Sequence, residues 1–328
     1  MKITITDVAK LSGVAKSTVS RHLNGGYVSE ETRKKIDKVI KETKYEPNTF
    51  AQSLKAKKTN LIGVIVPRLN SYAANLLLKG IDEKLRHLGY QMLISNADQL
   101  SEREIESLYS FANQKVAGII LIATELSEKH FEAIKNINLP VLSVGQYNEK
   151  IPSLIYDDED AGYSLGKYIT DCGHQKIIYL GVTEKDIAVG IRRKQGFMKA
   201  IHEQDKCQIT YYESDFLIKS AYDLFLNLAV TGTLDEVTIV ACATDNIALG
   251  VMKAIGKKDL KVPDDISVTG FGDYEMADLV GLTTVNYPYQ EAGQIAAQTI
   301  VSLGEGLTVN TEKKLPCKLV VRESVKEI

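Results

Sequence analysis

Along the first sixty residues, apolar positions recur at helical spacing in three short bursts. Val8, Leu11 and Val14 stand at three-residue steps, Val19 and Leu23 mark one face of a second segment, and Ile36, Val39 and Ile40 mark a third. The punctuation between them fits helix ends. Thr4-Ile5-Thr6-Asp7 reads as a capping box, with Thr4 as N-cap and a carboxylate three residues later. Gly13 can close the first helix in a left-handed conformation. The second helix fits Lys16 to Leu23 and ends on the turn Asn24-Gly25-Gly26; Ser29 caps a third, running to about Thr43, and Pro47 closes the bundle.

From Leu61 the texture changes to apolar strands alternating with amphipathic helices. Strand candidates are Leu61–Val66, Tyr90–Ser95, Val116–Ile122, Pro140–Val144, Ile177–Leu180, Val237–Cys242 and Ile266–Gly270. Between the first two, Ala73, Leu77, Ile81, Leu85 and Leu88 form one stripe of a helix over Ser71–Leu88. Continuous Val/Ile/Leu strands separated by helices predict parallel sheets covered on both faces. The stretch is too long for one comfortable open sheet, so two α/β lobes follow. The predicted class is α/β: an N-terminal all-α helix-turn-helix domain ahead of a two-lobed parallel-sheet domain.

Charge sharpens this division. The chain of 328 residues has a net charge of −2, but residues 1–60 carry 13 Lys and Arg against 6 Asp and Glu, whereas residues 61–328 carry 27 against 36. A basic module on an acidic body predicts a polyanion partner for the first part only. No apolar run reaches the roughly 20 residues of a membrane span, and the start has no apolar segment of a secretory signal. No membrane partner is expected, and the location expected is cytoplasmic. The cysteines Cys172, Cys207, Cys242 and Cys317 lie far apart with no C-x-x-C, which suits reduced thiols and neither disulfides nor a metal site.

Two short helices joined by a Gly-containing turn are a helix-turn-helix signature, whose second helix enters the major groove. Its N-terminal end offers Lys16 and Ser17, with Arg21 one turn on. Arg and Lys can donate to guanine O6 and N7, while Thr18, Ser20 and Asn24 suit phosphate contacts. A purely structural three-helix bundle would share the inner face but would not need this polar set.

The segments DVAKLSGVAKSTVSRHLNG, VSEETRKKI and YEPNTFAQSLKAKKTNLIGVIVP resemble the lactose/galactose-repressor family of bacterial transcription regulators, and the overall wording, especially IGVIVPRLNSYA and PNTFAQSLKAKKT, looks most like its sucrose-operon repressors of Gram-positive bacteria. The resemblance covers the whole chain. It implies a helix-turn-helix domain over 1–47, a hinge helix and linker over 48–58, and an effector-binding and dimerisation domain over 59–328. The last would have two lobes like periplasmic sugar-binding proteins, with the chain crossing between them three times. It further implies that Leu54 is an apolar wedge in the minor groove beside Lys55, and that a homodimer reads a pseudo-palindromic operator. One departure is Ala15, where many members have a serine before the recognition helix; Ala15 is therefore not expected to touch DNA.

In open parallel sheets, ligands bind beyond the carboxyl ends of the strands. The junctions there are rich in Asp, Asn, Arg and aromatic residues, a set suited to sugar hydroxyls and apolar sugar faces. Many of these Asp and Asn residues are also natural helix caps. By the resemblance, Arg193 of Arg193-Lys194-Gln195-Gly196-Phe197 binds effector hydroxyls, and Asp160 is a cleft carboxylate. Phe216 covers the sugar, Ser71 and Tyr72 open the first cleft helix, and Asp245 belongs to Thr244-Asp245-Asn246-Ile247-Ala248-Leu249-Gly250. Gly272 stands where the family often has a sugar-binding aspartate, with Asp273 as the substitute. The effector implied is a small sugar or sugar phosphate, sucrose or sucrose phosphate by the nearest resemblance, with either Arg68 or Arg192 meeting a phosphate. No P-loop, H-E-x-x-H or G-x-S-x-G is present, so no enzyme, catalytic residue, cofactor or metal is expected. The alternatives are a catabolite-control regulator using a phosphocarrier protein as corepressor, and a cytoplasmic sugar-binding protein.

Overall fold

The computed structural model describes residues 3–23, 26–45, 59–234 and 236–328. They form two compact units, Met1–Thr59 and Asn60–Ile328.

The first unit holds α1 (Ile5–Ser12), α2 (Lys16–Leu23) and α3 (Glu30–Thr43). Thr4 accepts from the Asp7 N–H and the Asp7 carboxylate accepts in return from the Thr4 N–H, closing the capping box. Gly13 ends α1 at φ 67°, and Ser29 caps α3. Val8, Val19 and Ile36 are fully buried at the centre of the bundle. Leu11 is exposed, contrary to its place in the apolar stripe. Ser12 takes the inner position instead, and its hydroxyl donates to the Val8 carbonyl at 2.6 Å.

The second unit begins with β1 (Leu61–Val66), α4 (Tyr72–His87), β2 (Gln91–Asn96), α5 (Ser101–Asn113), β3 (Gly118–Ile122), α6 (Glu128–Ile137), β4 (Val141–Val144) and β5 (Ser153–Tyr156). Then come α7 (Asp158–Asp171), β6 (Lys176–Gly181), a π-helical segment (Ile187–Arg193), α8 (Lys194–His202), β7 (Gln208–Glu213), α9 (Ile218–Val230), β8 (Ile239–Cys242), α10 (Asp245–Lys257) and β9 (Ser267–Thr269). The chain finishes with α11 (Glu275–Leu279), β10 (Thr284–Asn286), α12 (Tyr289–Gly304), β11 (Glu312–Leu315) and β12 (Lys318–Val320).

Two parallel sheets result. One has the order β11-β5-β4-β3-β1-β2 and the other β7-β6-β8-β9, beside an antiparallel β10-β12 pair. Strand β1 is central and buried on both faces, with Val64 opposite Ile94 on one side and Ile120 on the other. The chain leaves the first sheet after β5, returns with α12 and β11, and leaves again for β12. Strands β5, β7 and β10–β12 escaped the sequence reading because they are short or polar; β7 alternates exposed and half-buried residues along an edge.

Close helix packing depends on glycine. A Cβ on Gly80 of α4 would lie 2.0 Å from the Gln290 carbonyl oxygen, and one on Gly293 of α12 would lie 2.1 Å from that of Leu77. The same device joins α7 to α8: a Cβ on Gly162 would meet the Arg193 carbonyl oxygen at 2.0 Å, and one on Gly196 that of Glu159 at 1.8 Å. Backbone cannot yield as a flexible side chain can, so Gly196→Ala forces the helices apart. The expected cost is about 1–3 kcal/mol, read by urea unfolding beside Gln195→Ala, an exposed neighbour whose change should be within about 0.5 kcal/mol.

Candidate functional site: a nucleic-acid face and an interlobe cavity

In the first unit, Lys16, Ser17 and Arg21 are exposed on α2, and Thr18 and Ser20 are half-buried. Buried Val19 anchors the opposite face. The Ala15 carbonyl accepts from the Thr18 and Val19 N–H groups, so backbone alone opens α2. His22 ties α2 to α3 through Asp37 at 2.6 Å. Asn24, Leu54 and Lys55, the other expected DNA contacts, lie outside the described residues.

In the second unit a cavity of about 150 Å³ lies between the two sheets. Arg193, only 4% exposed, lines it. The Arg193 Nε and Nη2 donate to Asp158 Oδ1 at 3.1 and 2.7 Å, and Nη1 donates to the Ala243 carbonyl at 2.5 Å. Tyr287 Oη donates to the same Asp158 oxygen at 2.9 Å. The guanidinium lies over the Phe271 and Tyr287 rings at 4.7 and 4.8 Å. The glycines that bring α7 against α8 set Arg193 beside Asp158, which gives the glycine of Arg193-Lys194-Gln195-Gly196-Phe197 its steric purpose.

Arg68, on the loop after β1, reaches across the cavity and stacks over Phe216 at 4.0 Å. Among the described residues it makes no ion pair and no hydrogen bond, and burial holds its pKa below the usual arginine value. Ser71 caps α4 and lines the cavity. Asp186 lines it too, accepts from the Val189 N–H at 3.1 Å, and is pushed up by burial. Tyr156 also lines it, and its hydroxyl is buried with no partner among the described residues. An orphan hydroxyl in a cavity wall is a place for a ligand or a water to bond.

Four expected contacts stand elsewhere. Asp160 is exposed; the buried carboxylate is Asp158. Two residues on a helix differ by about 200°, so one of the pair must face away. Asp245 is fully buried and spent: Oδ1 accepts from Thr284 Oγ1 at 2.6 Å and Oδ2 from the Tyr274 N–H at 2.9 Å. It does not line the cavity, whereas Thr244, the α10 cap, does. Asp273 bonds Arg322 at 2.7 Å and Asn286 at 2.9 Å and is also absent from the lining. Tyr72 stands outside the lining but packs its ring against Tyr274, with centroids 4.5 Å apart and planes tilted by 41°. Gly272, at φ 139°, is required by that ring, since a Cβ there would lie 2.5 Å from it. Tyr274 thus occupies the room that an aspartate at 272 would need.

Burial pushes Asp245 up to about 6, against the lowering hydrogen bonds from Thr284 and Tyr274. A raised carboxyl pKa means that the folded state holds the proton more tightly than the unfolded chain. The contribution of this group to stability therefore falls as pH rises from about 4 through about 6. Thr284→Val removes a donor that favours the charged form. Its cost should be about 2 kcal/mol at pH 8 and should shrink as Asp245 takes up a proton below pH 6. Urea unfolding of both proteins at pH 5 and 8 reads the difference; an equal cost at both would contradict the assignment.

Comparison with known proteins places this geometry in a class. Residues 4–48 match the lacI family of bacterial regulatory proteins, and residues 59–323 match the periplasmic binding proteins and sugar binding domain of the LacI family. The chain belongs to the LacI family, as a transcription regulator with a helix-turn-helix DNA-binding domain and not an enzyme. It is 38% identical to the sucrose operon repressor of Staphylococcus xylosus over 89% of this chain and 91% of that protein. It is 30% identical to catabolite control protein A of Priestia megaterium over 99% of this chain and all of that one. Among solved structures, the lac repressor dimer bound to operator and the anti-inducer ONPF superposes with a TM-score of 0.91 at 27% identity, covering 99% of this chain and 100% of that one. No described helix is long and apolar enough to cross a membrane.

Proposed function

We propose that this chain is the homodimeric repressor of a sugar-utilisation operon, released from a pseudo-palindromic operator by sucrose or a sucrose phosphate. The observation that carries the reading is the interlobe cavity, with an arginine that makes no ion pair and a tyrosine hydroxyl that has no hydrogen-bond partner among the described residues, and a tyrosine-rich wall, in a chain 38% identical to a sucrose operon repressor. Arg193 presents the cavity with a fork fixed by Asp158, Ser71 and Tyr156 offer hydroxyls, and Phe216 offers a ring face. Arg68 is the cation free to meet a phosphate. Tyr72, Asp245 and Asp273 hold Tyr274 and its loop in place without touching the ligand. On the DNA side, Lys16, Ser17 and Arg21 read base edges, Thr18, Ser20 and Asn24 meet phosphates, and Leu54 is the wedge beside Lys55.

A ligand shifts the operator-bound state only by its differential affinity for the two lobe arrangements. Arg68 with Phe216 and Tyr72 with Tyr274 are contacts between the lobes that a sugar would rearrange. A thermal-shift screen with sucrose, sucrose 6-phosphate, glucose and fructose tests the reading. A ligand at 100 times its Kd adds about 2.7 kcal/mol. No shift with any of them would overturn it and favour the protein-corepressor mode suggested by the catabolite control relative.

A further inference from the structure

The interlobe cavity, at about 150 Å³, lies below the roughly 300–1,000 Å³ of ordinary small-molecule pockets. Beside it is a second pocket of about 430 Å³, and the two share Gln99 and Phe216. Phe216 thus borders both spaces where they adjoin, with Arg68 over its ring.

The outer pocket differs in chemistry from the inner one. Its polar lining besides the shared pair is Thr183, Glu213, Ser214, Asp215 and Ser220, and among the described residues no cation lines it. Asp215 is fixed by the Leu217 N–H and by Ser220 Oγ, both at 2.7 Å. Glu213 is exposed. Ser214 Oγ is buried with no hydrogen-bond partner among the described residues. An orphan hydroxyl, two carboxylates, an amide and a phenyl ring suit the hydroxyls and apolar face of a neutral sugar ring. The same carboxylates repel an anion.

We propose that this outer pocket is a second sugar subsite, holding the unphosphorylated ring of a two-ring sugar whose other ring fills the interlobe cavity. The inference rests on the sugar-effector reading above and deepens it. It assigns any phosphate to the inner ring, beside Arg68, and excludes one from the ring beyond Phe216.

Isothermal titration of the full-length protein with sucrose, glucose, fructose and sucrose 6-phosphate tests this, using the wild type, Ser214→Ala and Glu213→Lys. Sucrose should bind at least tenfold more tightly than either monosaccharide. Ser214→Ala and Glu213→Lys should weaken sucrose about tenfold and leave glucose and fructose within twofold. Sucrose binding no tighter than its component sugars, or variants that weaken one-ring and two-ring sugars alike, would overturn the subsite while leaving the sugar-effector reading in place. If no sugar binds the wild type, the effector reading itself falls and the subsite with it. Circular dichroism on both variants checks the fold, which neither side chain holds by a hydrogen bond among the described residues.

Discussion

Asp158→Ala should lower the unfolding free energy of the effector-binding unit by about 3–5 kcal/mol. One Asp158 oxygen accepts two Arg193 N–H groups and the Tyr287 hydroxyl. Removing it leaves a guanidinium that is 4% exposed with no ion pair, and a buried phenol with no acceptor, among the described residues. The Ala243 carbonyl still accepts from Nη1, but a neutral acceptor does not replace the ion pair. Asp158→Asn, which keeps an oxygen and loses the charge, should fall between. The exposed pair Lys219–Asp223 offers the contrast: breaking it should cost less than about 1 kcal/mol. Urea unfolding at pH 7 reads all three. A loss under about 1 kcal/mol for Asp158→Ala would contradict the buried pair. Arg193→Ala strands the same carboxylate, so the effector response of that variant must be read on protein shown to be folded. Arg193→Lys keeps the charge but loses the fork, and should keep the fold better than it keeps effector affinity.

Arg21→Ala should weaken binding to the specific operator by roughly 1–3 kcal/mol per half-site, and so about twice that for a symmetric dimer, while relaxing base choice at the contacted positions. Arg21 is exposed one turn into α2, opposite the face that Val19 buries. Its removal should therefore leave the stability of the three-helix unit within about 0.5 kcal/mol. Fluorescence anisotropy on operator and random duplexes, at one fixed salt concentration, separates the two roles of an arginine at DNA. Equal losses on both duplexes would make Arg21 a phosphate contact.

How much was legible in the sequence depended on whether the signal was local. The capping box at Thr4, the left-handed Gly13 and the cap at Ser29 are decided within one turn of chain, and the structure has all three. The central strands were legible because both faces are buried and the apolar run is continuous. The polar edge strand β7 offered no such run. Within Asp157-Asp158-Glu159-Asp160 the resemblance implies Asp160, whereas the structure buries Asp158. Asp158 shares its face with Ala161, Leu165 and Ile169, all buried. Tyr156, Tyr274, Tyr287 and Tyr289 enter the cavity wall from three distant segments that only the crossings between sheets bring together. Asp245 lies off the cavity lining for a related reason: its partners Thr284 and Tyr274 are remote in sequence, and they occupy both oxygens.

The most direct test of a sugar-released operator-binding repressor is one anisotropy titration. The duplex is the one enriched from a random pool by the full-length protein, and it is titrated with and without sucrose or sucrose 6-phosphate. The enriched duplex should be an inverted repeat with half-site centres about one helical turn, or a multiple of it, apart. One of the two sugars should then weaken binding to it at least tenfold and leave random DNA unaffected. Enrichment of no dyad, or operator affinity unchanged by both sugars, would contradict it.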